Sequence, residues 1–208
     1  MKSIILAGNK RSADVNSEFI AQLETQISKL SKFSEVMILS NVLVQADLKK
    51  VTGDFKIIRT PDGTAGALAT VGFGLSSLSD NEPFLILPSN SEVADNLTEE
   101  FLKSMLEKNA VVGAIVFRGS DPLYSYARLG KSGEVIEVVE KKVSGSCAMA
   151  GIYFFSSRDA LSDCLEWAMV NNIQNSGNFF ISPALNYFLA KFIEISLFEI
   201  ENHEYSRH

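Results

Sequence analysis

Short, unbroken apolar runs alternate with stretches of helical periodicity along this chain, and that alternation constrains its fold more than any other feature. Ser3–Ala7 is apolar up to Gly8, and Val36–Leu39, Phe84–Leu87 and Val111–Phe117 repeat the pattern. A strand apolar at consecutive positions is buried on both faces, as in a parallel sheet covered by helices. Between the first two runs, Phe19, Ile20, Leu23, Ile27 and Leu30 recur at helical spacing, with Asn16 or Ser17 placed to cap. Lys56–Ile58 reads as a third strand. Leu68, Val71 and Leu75 share one face and predict a helix over Thr64–Leu78, despite its glycines. Thr98 is the expected cap of a helix reaching about Lys108, with Glu99 and Glu100 well placed against its dipole.

The second half changes character. Tyr124–Leu129, the turn Gly130-Lys-Ser-Gly133 and Val135–Glu140 read as a β-hairpin, and Met149–Phe155 is a strand rich in aromatic and branched residues. Ser156-Ser-Arg-Asp159 opens a helix bearing Leu161, Leu165 and Ala168. Ser182 followed by Pro183 predicts another helix start, with the hydroxyl as cap. A last strand is expected at about Glu194–Ile200, followed by a loosely held tail. The order implies an α/β fold: a mixed, mostly parallel sheet between helical layers, in one domain over residues 1–208.

Composition narrows the function classes. The 208 residues are 46% hydrophobic and carry a net charge of −6, with no basic cluster. Binding to a nucleic-acid backbone is therefore not expected. No segment has the length of a membrane span, so a cytoplasmic location is the expectation. Cys147 and Cys164 lack metal-type spacing and read as buried thiols. Both histidines, His203 and His208, lie in the tail, which argues against a Ser-His or Cys-His catalytic pair.

In a sheet of this kind ligands collect at the carboxyl ends of the strands. Four segments would meet there: the loop after Ala7, the turn around Pro61–Gly66, the polar run Pro88-Ser-Asn-Ser91, and Glu140-Lys-Lys142. Taken alone, Pro61-Asp-Gly63 encodes a tight turn, and the Glu-Lys-Lys run a charged hairpin exit. Their order is more informative. Leu6-Ala-Gly8, Thr60-Pro-Asp-Gly-Thr-Ala-Gly66, Leu87-Pro-Ser-Asn90, Pro122-Leu-Tyr-Ser-Tyr-Ala127, Glu140-Lys-Lys142, Gly151-Ile-Tyr-Phe154 and Phe179-Phe-Ile-Ser-Pro-Ala-Leu-Asn186 follow one another in the chain. From Pro61 to about Ile200 this order resembles the sugar-phosphate nucleotidyltransferases, the nucleoside-diphosphate-sugar pyrophosphorylases, and in particular their short surface-polysaccharide members.

That resemblance implies a Rossmann-like three-layer α/β/α fold of the nucleotidyltransferase (GT-A-like) type. It implies transfer of a nucleotidyl group from a nucleoside triphosphate to a sugar 1-phosphate. In such a protein Lys141 would hold the acceptor phosphate, Glu140 and Gly151 the sugar, with Tyr126 beside them. Asp62, Gly63, Thr64 and Gly66 would lie against the base, and Lys10 or Arg11 would face the triphosphate. Magnesium (Mg2+) would sit near Asn90 and Glu92. The partners are a nucleoside triphosphate and a sugar phosphate; a homo-oligomer is compatible with the sequence and not specified by it. The chain also departs from the family pattern. Asn9 and Arg11 stand where the first loop has glycines, Ala13 where it has arginine, Asn90 where a metal-binding aspartate is usual, and Pro183 where a second acid is usual. A second reading follows: a catalytically silent homologue that binds a nucleotide sugar or a partner and acts in regulation or scaffolding.

Overall fold

The structure, a computed structural model, describes residues 1–7, 16–41, 48–94 and 96–207. Among these described residues the centre is a mixed sheet of nine strands. β1 (Lys2–Leu6), β2 (Glu35–Asn41) and β3 (Lys56–Thr60) run side by side in parallel. The chain then returns to the other side of β1 with β4 (Phe84–Pro88), again parallel. Of the remaining members, β6 (Val112–Arg118) and β10 (Ile195–Ile200) form a parallel pair. β9 (Cys147–Phe155) is inserted antiparallel between β4 and β6. The order across the sheet is β10-β6-β9-β4-β1-β2-β3, and the hairpin of β7 (Ser125–Leu129) and β8 (Val135–Val139) hangs off β9. Strand order reverses about β1, so a crevice opens at the carboxyl ends of β1 and β4. There the Ser89 N–H donates to the Leu6 carbonyl at 3.1 Å and the Ala7 N–H to Leu39 at 2.9 Å.

Alternation along each strand sends neighbours to opposite faces, and both faces are buried. Ile4, Met37, Leu39 and Ile86 face one helical layer, built from α2 (Ala67–Gly72) and α4 (Arg158–Val170) through Leu68, Val71, Leu161 and Cys164. Ile5, Ile38, Leu85 and Leu87 face the other, built from α1 (Ser17–Leu30) and α3 (Leu97–Glu107) through Leu23, Ile27, Phe101 and Met105. The result is a three-layer α/β/α architecture. Burying an apolar side chain of this size contributes about 1.5–3 kcal/mol, so each layer is held mainly by these interlocked faces.

Several local expectations are corrected. Asn16 does cap α1, accepting from the Phe19 N–H at 2.8 Å, and Ser157 caps α4, accepting from Ala160. The helix expected over Thr64–Leu78 is only α2 followed by a 3-10 turn at Leu75–Ser77, because the segment tightens at Gly72 and Gly74, where Gly74 N–H bonds back to Val71. Thr98 is buried in the first turn of α3, and Asn96, with φ 71°, precedes that helix instead. Ser182 lies inside α5 (Ile181–Ala184), which α6 (Asn186–Ala190) follows directly; the Ser182 hydroxyl is used elsewhere. The tail is not loose: β11 (Tyr205–Arg207) pairs antiparallel with β5 (Ser91–Val93), a short strand that carries no signal of its own in the sequence.

Candidate active site

A cavity of about 420 Å³ occupies the crevice at the carboxyl end of β1. Its floor is Leu6, Ala7, Pro88, Ser89 and Asn90, and the β9 backbone at Met149–Gly151 forms one side. Glu140 and Lys141, where the chain leaves β8, face it together with Phe180 and Ser182 from the start of α5. This is the switch point where the topology places a ligand.

Glu140 is held in place before any ligand arrives. Its Oε2 accepts a hydrogen bond from the Ser182 hydroxyl at 2.5 Å and another from the Ser125 hydroxyl, and the two serine oxygens stand 2.8 Å apart. Both serines are buried, and hydrogen bonds to a carboxylate are among the stronger ones available to a hydroxyl. The Asn175 amide donates to the Glu140 carbonyl at 3.4 Å, anchoring the backbone as well. The second carboxylate oxygen keeps acceptor capacity for a ligand hydroxyl.

Lys141 follows immediately in the left-handed region, at φ 51°. A non-glycine residue there carries backbone strain of about 1–3 kcal/mol, and such strain collects at functional sites. The conformation sets the ammonium 4.8 Å from the centre of the Phe180 ring, a cation–π contact that steadies an otherwise exposed side chain. Gly151, at φ 80°, presents bare backbone to the cavity; a Cβ there would stand 3.4 Å from the Pro88 ring. A planar or ring-shaped ligand can lie closer to this stretch than to any residue with a side chain.

Not every residue expected at the site reaches this cavity. Lys10 and Arg11 lie outside the described residues. Tyr126 is fully buried, and its hydroxyl donates to the Asp121 carbonyl at 2.8 Å, so it supports the hairpin from below rather than facing the crevice. Burial also raises its phenol above the usual tyrosine range. Asp62, Gly63 and Thr64 line a separate depression with Phe73, Leu165 and Met169. Gly66 is locked against the Phe179 backbone, which bonds to Ala65 and Leu68 on either side. The turn is nevertheless one residue from the cavity: the Thr64 and Thr70 hydroxyls are 2.6 Å apart, and Thr70 lines the cavity wall.

The magnesium pair is likewise divided. Asn90 lines the main cavity, while Glu92 faces α1 and forms an ion pair with Lys29 at 3.2 Å. Among the described residues, no group of three or more His, Cys, Asp or Glu side chains could hold a metal ion. A hard dication prefers charged oxygen ligands. Among the described residues lining the cavity the one carboxylate is Glu140, and it already accepts hydrogen bonds from two hydroxyls. The described side chains therefore do not fit the magnesium site that Asn90 and Glu92 were expected to form.

Other cavity residues escaped the sequence. Ser125 stands inside the quoted Pro122–Ala127 run, and its role becomes legible only when β7 is laid beside α5. Tyr124, Tyr153, Phe180 and Tyr205 supply aromatic walls. Aromatic residues at strand ends read as core unless the topology is known.

The geometry agrees with comparison to known proteins. The model of the nucleotidyl transferase family matches residues 3–192. The chain belongs to the nucleotidyl transferase family. No curated protein matches it in sequence. Among solved structures, it superposes on a nucleoside-diphosphate-sugar pyrophosphorylase from Vibrio cholerae with a TM-score of 0.76 at 16% identity, covering 100% of this chain and 95% of that one. A protein assigned as a glucose-1-phosphate thymidylyltransferase from Bacillus anthracis, solved in complex with a sucrose, gives 0.71 at 16% identity over 96% and 87% of the two chains. A UDP-glucose pyrophosphorylase complexed with UDP-glucose gives 0.72 at 14% identity over 96% and 90%. At such identities the likeness is one of fold, and it establishes the nucleotidyltransferase form of the Rossmann-like α/β class for this member of the family.

Proposed function

We propose that the cavity binds a sugar 1-phosphate and that the protein transfers a nucleotidyl group to it from a nucleoside triphosphate. One observation carries the reading: a carboxylate pre-oriented by two buried serines, an ammonium beside it, and a bare glycine backbone all border one crevice. Glu140 accepts from sugar hydroxyls, and the ring rests on the backbone at Gly151. Lys141 is a mobile point charge with three donors, suited to a phosphate at the rim. In the transfer, an oxygen of the acceptor phosphate attacks the α-phosphorus of the triphosphate, the new P–O bond forms, and pyrophosphate leaves with the electrons of the broken bond. Such a reaction depends on positioning and charge neutralisation rather than acid–base work. Lys141 supplies one positive charge for it. The solved neighbours named for sugar-nucleotide chemistry support the substrate class.

A second reading is favoured by a specific observation. Asn90 brings no charge to the cavity, and Glu92 is engaged with Lys29. A homologue that binds a nucleotide sugar and transmits its presence to a partner, without turnover, would keep Glu140, Lys141 and Gly151 and dispense with charged groups at those two positions.

Calorimetry with glucose 1-phosphate, then a pyrophosphate-release assay with each nucleoside triphosphate, separates the two readings. Nucleotidyl transfer requires turnover that Lys141→Ala lowers by at least tenfold. Binding of sugar phosphate without pyrophosphate release supports the silent homologue. Binding that survives Lys141→Ala unchanged removes Lys141 from the site.

A further inference from the structure

We propose that Tyr205 is a specificity-determining wall of this cavity, fixing how bulky a sugar phosphate it admits; the inference rests on the sugar-phosphate reading above. Tyr205 enters from β11, 55 positions after Ala150 of β9, yet it lines the cavity beside Tyr124 and Ala150. Its hydroxyl donates to the Ala150 carbonyl at 3.0 Å, next to the bare backbone of Gly151. The ring packs 4.8 Å from Phe117 and 6.1 Å from Tyr124, centre to centre.

Its backbone is equally constrained. Tyr205 pairs with Val93, the Ala94 N–H donates to the Glu204 carbonyl at 2.8 Å, and a capping box joins Glu201 to Glu204 just before the strand. A side chain fixed at its tip, on its face and along its backbone cannot swing aside without giving up several contacts at once. A rigid wall of that kind discriminates by exclusion: a substituent on the sugar that points toward Ala150 meets the phenol ring. The same pairing holds β5, and the turn from β4 into β5 carries Ser89 and Asn90, so the wall and the cavity floor are one unit.

The test compares glucose 1-phosphate with N-acetylglucosamine 1-phosphate by calorimetry on the full chain. The wild type is expected to favour the unsubstituted sugar. Tyr205→Ala, which removes the ring, should shift the affinity ratio toward the acetamido sugar by about tenfold or more, the scale on which apolar pockets sort ligands by size. Tyr205→Phe keeps the ring and should keep the wild-type ratio, which a merely structural role for the hydroxyl would not predict. If Tyr205→Ala does not fold, Tyr205→Leu, which fills the Phe117 side but leaves the ring's outer volume empty, carries the same expectation. An unchanged ratio in a folded Ala or Leu variant overturns the assignment. Failure of the wild type to bind either sugar phosphate overturns the sugar-phosphate reading first, and this inference with it.

Discussion

At Gly66 two separate constraints fall on one residue, and together they position the wall of the site. Its φ of 94° lies where a side chain is strained, and a Cβ would stand 2.5 Å from the Phe179 carbonyl oxygen and 2.8 Å from the Phe179 nitrogen. The obstacle is backbone, tied in turn to Ala65 and Leu68, so it cannot rotate away as a flexible side chain would. Gly66→Ala should therefore cost more than the conformational strain alone, which is about 1–3 kcal/mol. Urea unfolding measures it. A loss below 1 kcal/mol would show that residues 65–68 and 179 move apart easily, and that the contact does not define the geometry of α2. The family resemblance implies a place for Gly66 against the nucleotide base. The structure supplies a different reason for glycine there, close backbone packing, which Pro-Asp-Gly turn chemistry alone does not reveal.

At the scale of elements, the exposed edge of the hairpin shows how one side chain can stand in for a strand. Among the described residues β8 pairs only with β7 in the sheet. On its other side the Asn186 amide closes a two-point bridge: Val138 N–H donates to Asn186 Oδ1 at 2.9 Å, and Asn186 Nδ2 donates to the Val138 carbonyl at 2.8 Å. The same amide nitrogen reaches the Pro183 carbonyl at 2.9 Å, so it also joins α5 to α6. Val138 is buried, and leaving its polar groups without partners costs about 1–3 kcal/mol. Asn186→Ala is expected to lose that much and to speed hydrogen exchange at the Val138 amide. Asn186→Asp, which can accept but not donate, should fall between the two. Equal exchange in all three proteins would mean the bridge does not guard the edge. Elements of this hairpin were readable because alternation and a glycine turn are local signals. β5 and β11 were not, since each is three residues long and exists only through pairing with the other. Ser182 was misread for the same reason: a cap rule looks a few residues ahead, while its hydroxyl answers Glu140, 42 positions away. The grouping of Glu140, Lys141 and Gly151 around one cavity is what the family resemblance implies; the company of Ser125 and Tyr205 required the sheet.

For the molecule as a whole, the two thiols make stability depend on alkaline pH in a direction that can be worked out. Burial against α5 pushes the Cys164 thiol from 9.0 up to about 12, and Asp163 beside it acts in the same sense. Cys147, half-buried at the start of β9, is pushed to about 11, again chiefly by burial, with Glu199 adding to it. In the unfolded chain both would ionise near 9, the unperturbed value. More than a pH unit below that value both states keep their protons and the thiols add almost no slope. Above it the unfolded chain releases protons that the folded chain retains, so the free energy of unfolding falls as pH rises from 9 toward 12. Lys56, whose pKa is raised by its ion pair with Glu35, contributes at the upper end with the same sign. Urea unfolding at pH 8, 9 and 10 should show a shallow decline over the first interval and a steeper one over the second. The double variant Cys147→Ala, Cys164→Ala should reduce that decline, although it will also lower the plateau by removing the Cys164 contact with the Ala184 carbonyl. The same burial predicts that Cys164 does not react with iodoacetamide at pH 7.5 until the chain unfolds, because the thiolate is the reactive form and the sulfur is enclosed. Rapid labelling of Cys164 in the folded protein would mean that the layer holding α4 to α5 opens far more readily than its packing implies, and the alkaline slope would then have another origin.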